Sequence, residues 1–181
     1  MPRKAPPSTS STRPRKATAG IVSSSHLVSP RSAELSEFEF GLIVAWNAFS
    51  RWAVRCMAAA GVGDLTITDV LLLHHVNHRA RNKKLADICF VLNYEDTHVV
   101  AYSLKKLVGA KLAQTEKIGK EVFYSPTAAG EAAVQKYRSV REACLVDNLD
   151  AERNPDIGEL ARLMRTMSGL YDQAARAATS L

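Results

Sequence analysis

The chain has 181 residues, 46% of them hydrophobic and 23% charged, with a formal net charge of +6, a length that suits one compact domain with or without a tail. The charge is unevenly placed: residues 1–33 hold six basic side chains (Arg3, Lys4, Arg13, Arg15, Lys16, Arg31) and no acidic one, so the remainder is formally neutral. No apolar run is long enough for a membrane span, the basic start lacks the apolar stretch of a secretory signal, and Cys56, Cys89 and Cys144 lack CxxC spacing, which predicts reduced thiols in a cytoplasm rather than disulfides or a zinc knuckle.

Residues 1–33 carry five of the seven prolines and no aromatic residue. Such a segment buries too little apolar surface to offset its ordering entropy, so a disordered basic tail is predicted. It is either a solvated leader or an arm adding non-specific affinity for phosphates; an organelle transit peptide is the third reading of so basic and Ser-rich a start. The rest, 34–181, reads as a single domain.

From Ser36 the pattern changes. Phe38, Leu42, Ala45, Phe49, Trp52 and Cys56 fall on one helical face, and Phe40, Ile43, Trp46, Val54 and Met57 widen it. A helix apolar on that much of its surface, running over 36–60 and closed by Gly61 and Gly63, needs cover on more than one side, and a second subunit could supply it. Thr66 with Asp69 three residues on predicts a capping box and a short helix to about Asn77. The basic cluster Arg79, Arg81, Lys83, Lys84 follows, then a third helix over Leu85–Leu92. Asn93-Tyr94-Glu95-Asp96 is a polar break with caps at Asn93 or Asp96. A fourth helix carries Val100, Leu104 and Leu107 inward and ends near Gly109 or Lys111. Leu112–Lys117 and Glu121–Ser125 read as a hairpin turning at Ile118-Gly119-Lys120. Pro126-Thr127 opens a long helix over Ala128 to about Asp150, and a last helix, punctuated by Asn154-Pro155-Asp156, runs to about Ala178.

The fold class predicted is mainly α with a small β-hairpin wing: a winged helix-turn-helix core at 65–127, flanked by helices at 36–60 and 128–178. Leu85-Ala86-Asp87, Leu104 with Leu107 and Leu112, and the run Val122-Phe123-Tyr124-Ser125-Pro126-Thr127-Ala128-Ala129-Gly130 carry a family likeness. In that order and spacing the stretch from about Leu65 to Gly130 resembles the winged core of the MarR family of transcriptional regulators. Three features depart from that pattern: a longer turn before the fourth helix, Lys111 where the family commonly has glycine, and a short wing with Lys117 and Lys120 in place of an Asp-x-Arg tip. The resemblance implies a dimeric repressor, with a small-molecule effector of unassigned identity as an option.

The residues make their own case for double-stranded DNA. Between Arg79 and Lys120 nine basic residues stand against four acidic ones. With Val100, Leu104 and Leu107 inward, Thr97, His98, Ala101, Tyr102 and Lys105 share the opposite face, suited to base edges in the major groove. Lys83, Lys84, Lys117 and Lys120 would hold phosphates at the flanks. From charge alone the same face reads as a solvated helix surface; the order of elements favours DNA. Glu95 and Asp96 suit helix capping better than acceptance from a cytosine amino group. Dimerisation is assigned to Phe38, Leu42 and Phe49 in the first long helix and to Leu160, Leu163, Met164, Met167 and Leu170 in the last.

Other chemistry is weaker. His74 and His78 form an i, i+4 pair beside His75, yet no carboxylate or thiolate accompanies them, so no metal is expected. The three cysteines read as small core side chains rather than oxidant sensors, and Trp46, Trp52 and Tyr171 as core rather than an effector pocket. There is no phosphate-binding glycine loop, GxSxG, HExxH or acid pair, so no catalysis and no cofactor are expected. The competing functions are a protein-interaction module on the winged scaffold and a thiol- or metal-responsive switch on it.

Overall fold

The computed structural model describes Ser29, residues 31–78 and residues 82–181. Most of the expected tail, and Arg79 and Arg81 of the basic cluster, lie outside the described residues. The chain divides into two units, with the boundary between Ser50 and Arg51.

Helix α1 (Ala33–Ala59) crosses that boundary. Up to Ser50 its side chains stay largely uncovered: Phe38 and Leu42 are half-buried, while Phe40, Ile43, Val44, Trp46 and Phe49 are exposed. Trp46 is therefore not a core residue of this unit. Its ring lies 6.1 Å from that of Phe49 on the same helix.

In the second unit the end of α1 buries Ala53, Cys56 and Met57, and Gly61, at φ 95°, turns the chain out of the helix. Helix α2 (Ile67–Asn77) starts at the predicted capping box: Thr66 N donates to Asp69 Oδ2 at 2.8 Å and Asp69 N donates to Thr66 Oγ1 at 3.3 Å. Strand β1 (Lys83–Lys84) leads directly into α3 (Leu85–Leu92), which ends at Asn93 in the left-handed region. Helix α4 (Thr97–Gly109) follows, then β2 (Ala113–Ile118), β3 (Glu121–Pro126), α5 (Ala128–Cys144), two short 3₁₀ turns and α6 (Asn154–Ala178). The core joins Val70, Leu72, Leu73 and Val76 of α2 to Ile88 and Cys89, to Val100, Leu104 and Leu107, and to Ala133 and Tyr137 of α5.

The predicted hairpin closes through Gly119, φ 63°, with Ile118 opposite Glu121 and Ala113 opposite Pro126. It is part of a three-stranded antiparallel sheet ordered β1-β3-β2, with Lys83 opposite Tyr124. Beneath the hairpin, Thr127 Oγ1 donates to Lys111 O at 2.6 Å and accepts from Gly130 N at 3.1 Å. A Cβ on Gly130 would stand 2.0 Å from Leu112 O, so only glycine lets α5 start this close to the wing.

One boundary differs from expectation. Helix α5 stops at Cys144, short of Asp150. There Asn148 Nδ2 donates to Cys144 O at 3.3 Å, and Asp150 then caps the second 3₁₀ turn by accepting from Glu152 N, so local side-chain bonds replace the next helical turn. Helix α6 begins at Asn154 with Pro155 in its first turn, where a missing N–H costs nothing.

Candidate nucleic-acid interface

Helices α3 and α4 meet at a turn held at both ends by backbone geometry. Asn93, at φ 56°, closes α3, and Tyr94 N donates to Cys89 O at 2.9 Å. Of the two caps offered by the sequence, Asp96 starts α4: its Oδ1 accepts from His98 N at 2.8 Å. The Asp96 carboxylate is thus committed to the helix end, as its capping reading requires.

The inward face of α4 is sealed. Val100, Leu104 and Leu107 have no exposed surface, and Ser103 is buried beside them. Behind α4 stands Asp69, 2% exposed, which accepts from Ser103 Oγ and from Lys106 Nζ, the latter at 2.7 Å. Burial pushes the Asp69 carboxyl up, but the Lys106, Ser103 and Thr66 donors together hold it below the ordinary carboxylate range. Lys106 Nζ also donates to Asp64 O. One buried carboxylate therefore caps α2 and fixes α4 against it.

The outward face matches the sequence pattern. Thr97, His98 and Lys105 are exposed, Ala101 is half-buried, and Tyr102 is 74% exposed. Val99, unassigned from sequence, is exposed as well.

The four flanking lysines divide into two pairs. Lys117 and Lys120 are exposed on the wing beside an exposed Ile118. Lys83 instead turns its ammonium to the end of α2, donating to Val76 O at 3.1 Å and to His78 O, and burial lowers its pKa. Lys84 pairs with Glu121 at 2.6 Å and lies 5.4 Å from the Phe123 ring centroid. These two contacts tie β1 to α2 and to β3.

The remaining candidates separate in the same way. His74 is half-buried, its ring edge-on to Tyr137 at 4.4 Å, and its buried Nε2 has no hydrogen-bond partner. Burial lowers the pKa of His74, and burial together with Lys83 and His78 lowers that of His75. With His78, Leu71, Leu92 and Val134 they line an open cleft of about 510 Å³. Among the described residues no three His, Cys, Asp or Glu side chains are placed to hold a metal ion. Cys56 and Cys89 are buried, and desolvation raises both thiol pKa values. Cys144 is exposed at the end of α5, contrary to a core role, because the helix stops there. Trp52 and Tyr171 are half-buried.

A family model described as a winged helix DNA-binding domain matches residues 65–130, the span from the end of the α1–α2 loop to the start of α5. Residues 65–130 have the fold of a winged helix. Solved structures extend the likeness to the flanking helices. A MarR-family transcriptional regulator from Rhodococcus sp. RHA1 superposes with a TM-score of 0.62 at 9% identity, covering 75% of this chain and 95% of that one. Reduced AbfR bound to DNA gives 0.61 at 15% identity over 76% and 95%. RV1404 from Mycobacterium tuberculosis gives 0.57 at 17% identity over 75% and 95%. At these identities the likeness is one of fold, and the fold is that of the MarR-family regulators. No curated protein matches the sequence significantly.

Within the winged fold, α3 and α4 form the helix pair and β2–β3 the hairpin. No helix among the described residues is long and apolar enough to cross a membrane.

Proposed function

We propose that the protein is a sequence-specific transcriptional regulator that binds double-stranded DNA as a homodimer, with α4 in the major groove. The observation that carries this reading is the outward face of α4, where Thr97, His98, Tyr102 and Lys105 are exposed while Asp69, Ser103 and Lys106 hold the helix from behind. Thr97, His98, Tyr102 and Lys105 offer hydroxyl, imidazole and amine groups to base edges, and Ala101 between them lets the helix sit deep. Lys117 and Lys120 hold phosphates from the wing, Lys84 adds a partly neutralised charge, and Lys83 positions β1. The six basic residues of 1–33 add affinity that does not depend on sequence.

Reading a pseudo-palindrome requires two recognition helices about 34–36 Å apart, which takes two subunits. Helix α6 supports a dimer. Its 25 residues bury no side chain within this chain, although Leu160, Leu163, Met164 and Leu170 are exposed and apolar and Met167 is half-buried. Phe38, Leu42 and Phe49 in the first unit are a separate apolar surface for the same use. The protein acts in the cytoplasm, as a repressor that occludes its operator, and a small-molecule effector would release it.

Selection of bound duplexes from a random library by the full chain tests the reading. A sharp pseudo-palindromic sequence is the expected result. Only diffuse, salt-sensitive binding would overturn it and favour the protein-interaction module, for which Phe90 and Val91, exposed on α3, are the relevant surface.

A further inference from the structure

The residues on α4 that are absent matter as much as those present. An arginine fork on guanine N7 and O6, and an Asn or Gln fork on adenine N6 and N7, are the strong bidentate contacts of the major groove. Helix α4, THVVAYSLKKLVG, contains no Arg, Asn or Gln, and no arginine occurs between residues 82 and 137. Of its two lysines, Lys106 is held by Asp69 and Asp64, leaving Lys105 as the one cation on the outward face. The hydroxyls of Thr97 and Tyr102 and the imidazole of His98 can each make a single bond to a base edge, but none can make the bidentate fork. What remains is apolar: Val99, 45% exposed on the first turn, and Ala101 on the groove-facing side with His98 and Lys105.

Thymine is the one base that presents a methyl group in the major groove, and side-chain methyls recognise it by excluding water. We infer that the recognition helix reads its operator through thymine C5-methyl groups, with Val99 and Ala101 as the residues that make the contact. Lys105 is then the one cationic side chain of the helix directed at guanine. This rests on the DNA-binding reading above and adds which bases that face selects. The wing has the same character: Lys117 and Lys120 bracket an exposed Ile118, so it offers charge and apolar surface but no arginine for a narrow minor groove.

The test uses the full chain and the duplex selected from a random library. Each thymine in turn is replaced by deoxyuridine, which removes the methyl and keeps every hydrogen-bonding group. Each guanine in turn is replaced by 7-deazaguanine. The expected result is at least one thymine per half-site whose conversion weakens binding about fourfold, the worth of one buried methyl. That penalty should fall below about twofold in Val99→Ser or in Ala101→Ser. Both positions lie outside the fully buried core, and circular dichroism confirms that the variants fold. A site indifferent to every deoxyuridine but sensitive to 7-deazaguanine would overturn the inference while leaving sequence-specific DNA binding intact. So would a deoxyuridine penalty that both serine variants keep in full. Failure to enrich any sequence would instead overturn the DNA-binding reading, and this inference with it.

Discussion

Lys106 on α4 places its Nζ 2.7 Å from Oδ2 of Asp69, thirty-seven residues earlier on α2, and the carboxylate that receives it is 2% exposed. The same carboxyl group accepts from Ser103 and closes the Thr66 capping box. A buried charge is tolerated only where its lone pairs are filled, and here they are filled by donors from both helices. The pose of α4 therefore depends on one aspartate. Asp69→Ala should cost about 2–4 kcal/mol, the sum of a lost cap and charge-assisted bonds. Lys106→Met should cost less, because its ammonium is partly in water. Urea denaturation of both variants measures the two values, and an unchanged midpoint for Asp69→Ala would contradict the account.

The same group sets an acid limb. The Asp69 carboxyl is held below its ordinary value in the folded state, so the folded protein binds fewer protons than the unfolded chain as pH falls. The stability it contributes is complete above the ordinary carboxylate pKa and is lost as pH drops through the depressed folded value. Asp69→Asn should flatten that part of the pH–stability profile, measured by denaturant titration at pH 3 to 6.

His74 gives a second, separate limb. Burial lowers its pKa from 6.5 and its Nε2 has no partner. The unfolded chain therefore takes up the proton first, and stability falls as pH drops below about 6.5 until the folded site also titrates. His74→Phe should remove part of this loss, His75 retaining its own share. Melting temperatures compared at pH 5.5 and 7.5 read the difference; equal pH sensitivity in both proteins would exclude His74 as the source.

Gly130 should tolerate no side chain. Gly130→Ala would drive a Cβ to 2.0 Å from Leu112 O, between the start of α5 and the wing. The backbone must shift, at roughly 1–3 kcal/mol or more. The check is the melting temperature of Gly130→Ala against that of Ala129→Gly, an exposed neighbour expected to lose only about 1 kcal/mol.

Much of this was legible in the sequence, and the rest failed for identifiable reasons. The Thr66–Asp69 box, the Asp96 cap and the Gly119 turn are local, set by residues two or three apart, and the spacing that encodes them is visible in one chain. Lys106 counted only as one of nine basic residues, because its partner lies thirty-seven positions away. Strand β1 is two lysines with no alternation to betray it, and exists only because β3 pairs with it. The end of α5 was hidden by Leu145 and Leu149, which continue the apolar spacing past the point where Asn148 and Asp150 interrupt the helix. Val99 escaped because the inward spacing of Val100, Leu104 and Leu107 leaves its position at the edge of the outward face.

Assembly is open to direct test. Helix α6 spans about 37 Å with its apolar side uncovered, and covering it with a second copy should make the dimer effectively obligate. Leu160→Asp, Met164→Asp or Met167→Asp should abolish both assembly and DNA binding. Light scattering at micromolar concentration decides it: a stable, folded wild-type monomer would contradict the dimer.

The affinity of wild type and Tyr102→Ala for the selected duplex and for a scrambled one, at a single salt concentration, decides whether α4 reads the DNA. If α4 reads base edges, the variant should lose about 1–3 kcal/mol on the selected duplex and almost nothing on the scrambled one, so that the ratio between them collapses. A variant that keeps the wild-type ratio, or that loses affinity equally for both duplexes, would show that the exposed face of α4 is not what reads the DNA.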